Sequence, residues 1–168
     1  LGVAANVTGA IDVSVLMPTN GVTSIHDIGS TGAVTFNKVT TGAGVQIDGA
    51  VTGSIAINYA DTLGQNDTTT VTLGKSTTTA VFTVNSLTLQ DANAIGIGTV
   101  NINSVTKANQ PGLFNTGNTI TTLVDNGLSK LTVGGSEGLT ITTLNEATTP
   151  ATLFTLTNNV TNLKGVTI

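Results

Sequence analysis

Apolar and polar residues alternate with a period of two in short stretches, and almost every stretch is closed by Gly, Asn, Asp or Pro. Such alternation suits strands with one buried face, whereas the three- and four-residue spacing of an amphipathic helix is nowhere sustained. The clearest strands are predicted at 11–16, 33–39, 44–47, 54–59, 69–73, 80–84, 99–105, 130–133, 138–144 and 153–157. Turn chemistry separates them, as in Pro18-Thr19-Asn20-Gly21, Gly29-Ser30-Thr31-Gly32, Thr41-Gly42-Ala43-Gly44, Gly134-Gly135-Ser136-Glu137-Gly138 and Thr157-Asn158-Asn159. Two stretches, 87–94 and 124–128, read instead as short helical turns.

Composition agrees with the alternation. Thr supplies 35 residues, Gly 20, Val 18 and Asn 17 of 168, so over half the chain is built from types that are poor helix formers. Thr is β-branched, favours extended backbone and forms hydrogen-bonded ladders with Thr on a neighbouring strand. The expected fold is all-β, a β-solenoid or β-sandwich of many short Thr-rich strands with little or no helix. It is read as one β-strand-repeat domain over 1–168, or a fragment of a longer chain, since the sequence begins at Leu1 rather than Met. A sub-boundary is expected at 107–118, where Lys107-Ala108-Asn109-Gln110-Pro111-Gly112 reads as a loop.

Several function classes lose their parts. Five Lys, no Arg and nine acids give a net charge of −4, so no basic patch can neutralise a phosphate backbone and nucleic acid is not an expected partner. Cysteine is absent, which removes disulfides, thiol nucleophiles and thiolate metal sites. The longest apolar runs fall far short of the roughly 20 residues that span a bilayer as a helix. A low-charge surface wetted by hydroxyls and amides fits extracellular fibres and coats.

A local repeat is visible in the second half, where Leu123, Leu131 and Leu139 recur eight residues apart within Ile120–Leu144. It does not continue through the chain with a fixed period, which leaves both a loose solenoid and a sandwich open.

Calcium takes six to eight oxygen ligands. The best local cluster is Asp61, Asn66 and Asp67, with the carbonyls of Leu63 or Gly64 nearby; the same residues also serve as plain turn formers. The other acids, Asp12, Asp27, Asp48, Asp91, Asp125, Glu137 and Glu146, are spread singly. His26-Asp27 invites a catalytic reading with one of the Ser residues, yet no Gly-x-Ser-x-Gly elbow accompanies it, and His26 reads as a surface or loop residue. Paired carboxylates for glycoside hydrolysis depend on the fold, and with no Trp and one Tyr a sugar-stacking platform is missing. The chain is therefore read as not an enzyme. Asn6, Asn66 and Asn159 each match the N-glycosylation acceptor pattern, and a sugar on Asn66 would compete with its calcium role. Phe36, Phe82, Phe154 and Tyr59 are expected in or beside strands as core residues, and Phe114 is the aromatic expected to be exposed.

The Gly/Asn/Asp-rich turn and Thr-rich strand of Asp61-Thr62-Leu63-Gly64-Gln65-Asn66-Asp67-Thr68-Thr69-Thr70-Val71-Thr72-Leu73-Gly74 resembles those of secreted β-strand-repeat proteins. The segments from Asn118 to Leu123, Leu128 to Gly135 and Gly138 to Leu144 are similar to the strand repeats of bacterial surface-layer (S-layer) proteins related to the RTX secreted group. The resemblance covers 61–168 and is compositional, and no intact Gly-Gly-x-Gly-x-Asp nonapeptide occurs. It implies a secreted, calcium-binding β-strand protein at the cell surface that assembles with copies of itself into a two-dimensional coat, with a cell-surface glycan as anchor. The alternatives are an extracellular filament or pilus-like subunit joined by donation of a terminal segment, 1–7 or 163–168, and a cell-surface adhesin domain in which Phe114 and Tyr59 would cluster.

Overall fold

The computed structural model describes residues 2–4, 9–12, 22–60, 66–75, 81–106, 117–145, 155–160 and 166–168. Within them the chain is all-β and carries no helix. The strands are β1 (Gly2–Ala4), β2 (Gly9–Asp12), β3 (Ser24–Ile28), β4 (Val34–Val39), β5 (Gly44–Asp48), β6 (Val51–Tyr59) and β7 (Thr68–Gly74). The second half continues with β8 (Thr83–Asp91), β9 (Thr99–Val105), β10 (Asn118–Val124), β11 (Lys130–Gly135), β12 (Leu139–Asn145), β13 (Thr155–Val160) and β14 (Val166–Thr167).

Odd strands form one seven-stranded sheet in the order β1-β3-β5-β7-β9-β11-β13, and even strands form the other in the order β14-β12-β10-β8-β6-β4-β2. Every pairing is parallel. Parallel neighbours cannot be joined by a tight hairpin and need a crossover. Here the crossover is itself a strand, in the opposite sheet. Both sheets run on either side of 107–118, since β8 pairs with β10 and β9 with β11.

Burial follows the two-residue alternation that the sequence displays, for instance buried Val34, Phe36 and Val39 around half-buried Thr35 and Asn37 in β4. The inward side chains stack in register. Val34, Ile55, Leu87 and Leu123 follow one another across the even sheet, and Ile25, Val45, Val71, Ile102 and Val133 across the odd sheet. All nine side chains belong to one buried cluster. Burying a side chain of this size stabilises by roughly 1.5–3 kcal/mol, so the continuous stack outweighs any single turn.

The expected helical turns at 87–94 and 124–128 are overturned. Leu87 and Leu89 alternate with Thr88 and Gln90, both leucines are fully buried, and β8 runs to Asp91 before the chain turns. Val124 closes β10, and Asp125 to Leu128 is a tight turn rather than a helix. Of the predicted strands, 11–16 is seen through Asp12, 80–84 is met by β8 only from Thr83 and runs on to Asp91, and the described part of 153–157 lies in β13, which continues to Val160. Residues 24–28, not among the predicted strands, form β3. The eight-residue recurrence of Leu123, Leu131 and Leu139 is the step from β10 to β11 to β12, alternating between sheets, with all three side chains buried.

Candidate interaction face and buried polar sites

Of the predicted calcium ligands, Asp61 lies outside the described residues. Asn66 sits exposed in the turn before β7, and half-buried Asp67 accepts the Thr99 amide on its carbonyl at 2.9 Å, tying that turn to β9. Among the described residues no three His, Asp or Glu side chains gather as a metal site. Asn159 is exposed on β13, while Asn6, Phe114 and Phe154 lie outside the described residues. Phe36 is a core residue, as expected. Tyr59 is buried too, and its hydroxyl donates to Thr69 Oγ1 at 2.9 Å. Burial pushes its phenol up to about 12.

His26, expected as a surface or loop residue, is half-buried and stands on a strand rather than in a loop. It lies in β3, and because successive strand residues point to opposite faces it is separated from Asp27. Asp27 turns inward and accepts the Ser30 amide and hydroxyl at 3.0 and 2.7 Å. The partner of His26 is Asp48 on the adjacent strand β5, with Nε2 and Oδ2 2.7 Å apart. The other oxygen of Asp48 accepts from Gln46 Nε2 at 3.4 Å.

Four of the acids that look scattered along the sequence, Asp27, Asp91, Asp125 and Glu137, share a role. Besides Asp27, the Oδ1 of Asp91 accepts the amides of Asn93 and Ile95 at 2.7 and 3.0 Å. Glu137 accepts from the Thr106 hydroxyl at 3.1 Å and the Gly138 amide at 3.0 Å. Each carboxylate closes a turn at the end of a strand by satisfying backbone or hydroxyl donors. Asp125 does so incompletely. Its Oδ1 accepts the Gly127 amide at 3.1 Å, but its Oδ2 is the one buried side-chain polar atom among the described residues with no partner. Burial raises this carboxyl to about 7, against the lowering effect of the Gly127 and Ile97 amides.

The outward face of the even sheet is the most regular surface. Thr83, Thr119, Thr140 and Thr167 occupy one row across β8, β10, β12 and β14. Ser54, Ser86, Thr122 and Thr143 form a second row across β6, β8, β10 and β12. Asn37, Asn58 and Gln90 form a third, in which Asn58 donates to Asn37 at 2.7 Å and Gln90 to Asn58 at 3.2 Å. Parallel in-register stacking puts like residues about 4.8 Å apart, which is what lets amides bond from strand to strand. No outward side chain of β6, β8, β10 or β12 is charged. The ion pair of the even sheet lies at its β2 end, where Lys38 Nζ meets Asp12 Oδ2 at 2.6 Å. Lys38 is swung out by a bulge between Asn37 and Val39, with a positive φ of 58°.

At the far end of the odd sheet, β13 reads Thr-Leu-Thr-Asn-Asn-Val, with neither charge nor proline, and pairs with β11. Leu156 on it is 43 % exposed. No helix among the described residues is long and apolar enough to cross a membrane. No family model, curated protein or solved structure matches the chain.

Proposed function

We propose that the protein is a two-sheet β-solenoid acting as a structural, self-assembling subunit of an extracellular surface layer on a prokaryotic cell. The observation that carries the reading is the outward face of the even sheet, with its hydroxyl and amide rows in strand register and no outward charge on β6, β8, β10 or β12. Two such faces would meet without like-charge repulsion, and their hydroxyls and amides carry both donors and acceptors to offer one another. The solenoid assignment is supported by the strict alternation of successive strands between two parallel sheets.

The edges favour a second reading. Natural sheets block their edges with Lys, Pro or bulges, and β13 has neither Lys nor Pro. A parallel sheet ending on such a strand accepts another parallel strand, which would give an end-to-end filament in place of a lateral sheet. Gly2–Ala4 and Val166–Thr167 already pair within the chain's own sheets, which favours edge pairing over donation of a terminal segment.

Electron microscopy of the purified chain, with calcium and after chelation, tests both. Ordered sheets are the expected result, and their loss on chelation would direct mutation to Asp61 and Asp67. Filaments indifferent to chelation would replace lateral association with edge pairing. Dispersed monomers under both conditions, at all accessible concentrations, would overturn self-assembly.

A further inference from the structure

Asp125 stands where β10 turns toward β11, and its surroundings are built around a carboxyl group. Its side chain is fully buried. A Cβ on Gly96 would come within 1.8 Å of Asp125 Oδ1, 2.4 Å of the Gly127 amide nitrogen and 2.6 Å of that of Asn126, so the carboxyl and its turn lie directly on the Gly96 backbone. The Asp125 amide donates to the Asn145 carbonyl at 2.9 Å, and its carbonyl accepts from Leu128 at 3.4 Å. One residue thus links the 95–98 segment, the turn after β10 and the end of β12.

The orphaned Oδ2 is what this arrangement leaves over. An ionised carboxylate sealed from water with an unpartnered oxygen is costly, and neither ion pair shown among the described residues supplies it with a cation. The ionisable group of β6 that acts on this corner is the Tyr59 phenol, neutral and bonded to Thr69 of β7. Asp91, at the end of β8, is another acid and has its Oδ1 committed to Asn93 and Ile95. The 95–98 segment and the turn residues 126–129 contain no ionisable side chain. The described ion pairs, His26 with Asp48 and Lys38 with Asp12, involve other residues.

We propose that Asp125 is a proton-operated latch: as the neutral acid it seats the turn after β10 against Gly96, and on losing its proton it works the turn loose from the 95–98 segment and from β12. The direction follows from linkage. A carboxyl whose folded value is raised holds its proton in the folded state after the unfolded chain has released it, so stability falls as pH climbs between the two values. The window runs from the ordinary carboxylate value of 3.8 to about 7. Above it both states are ionised and the loss levels off.

The test is urea unfolding of the wild-type chain and of Asp125→Asn between about pH 5 and about pH 7. The Asn variant keeps an oxygen for the Gly127 amide and cannot ionise. The wild type's folding constant is expected to fall by somewhat less than tenfold per pH unit relative to the variant's, a gap of about fiftyfold across the range. Parallel pH profiles would overturn the proposal. Should Asp125→Asn fail to fold, carbon-13 NMR of the wild-type Asp carboxyls decides. An Asp125 resonance that titrates near 7 supports the latch, and one that titrates near 4 sinks it.

Discussion

The two ends of β10 solve the same problem differently. At its start, Asn118 is fully buried and every part of its amide is used. Oδ1 accepts the Phe82 amide at 2.8 Å, and Nδ2 reaches the Leu73 carbonyl at 3.1 Å, the Ser104 hydroxyl at 3.0 Å and, more distantly, the Val105 carbonyl at 3.3 Å. One neutral side chain of the even sheet therefore ties down β7 and β9 of the odd sheet. At the other end of the strand, Asp125 is equally buried and has one oxygen without a partner. A complete polar network rigidifies a core, while an incomplete one makes its stability conditional on protonation. Placing an amide at one end and an acid at the other separates a fixed corner from a conditional one.

The sharpest way to break this contrast is Gly96→Ala, since the new methyl meets the carboxyl and two backbone nitrogens that cannot all retreat. We expect a loss of about 4 kcal/mol or failure to fold, read by thermal unfolding. Asn118→Leu comes next. It strands the Phe82 amide and the Leu73 carbonyl, and should cost about 3 kcal/mol in urea titration, equally at pH 5 and pH 7 because none of the groups bonded to the Asn118 side chain is ionisable. A pH-dependent loss for this variant would erase the distinction between the two ends. Tyr59→Phe removes a buried hydroxyl and orphans Thr69 Oγ1, for an expected loss of about 1 kcal/mol. Smallest is Asn58→Ala on the outer face, which interrupts the amide row between Asn37 and Gln90 and should cost about 0.5 kcal/mol in the isolated chain. If that face mediates assembly, the same change should delay sheet formation in turbidity assays far more than it lowers the unfolding midpoint.

The strands were largely open to reading because β-branched alternation is a local property, and Val34-Thr35-Phe36-Asn37 carries it in four residues. The sheet order was not, because it depends on which strands lie beside each other. Stacked residues stand 20 positions apart for Ile25 and Val45 but 36 apart for Val84 and Ile120, so no fixed period marks them. The helical reading of 87–94 failed because Ala92, Asn93 and Ala94 blurred the two-residue period that Leu87 and Leu89 maintain. Asp125 gave a faint signal in Asp125-Asn126-Gly127, a turn sequence. Its burial comes from Gly96, nearly thirty residues earlier, and is a tertiary fact. The pairing of His26 with Asp48 was hidden for the same reason, since parallel neighbours bring together residues a whole circuit apart.

That variable circuit length has an engineering consequence. Ile120 pairs with Ile141 after 21 residues and with Val84 across 36, and neither ladder slips. Lengthening a flexible connection adds only about 0.6 kcal/mol per doubling, far less than a few stacked core side chains return. Foreign peptides spliced between strands should therefore ride on the scaffold without resetting its register. A lattice of such chains would then display each graft as a regularly spaced array, with the spacing set by the assembly and not by the length of the insert.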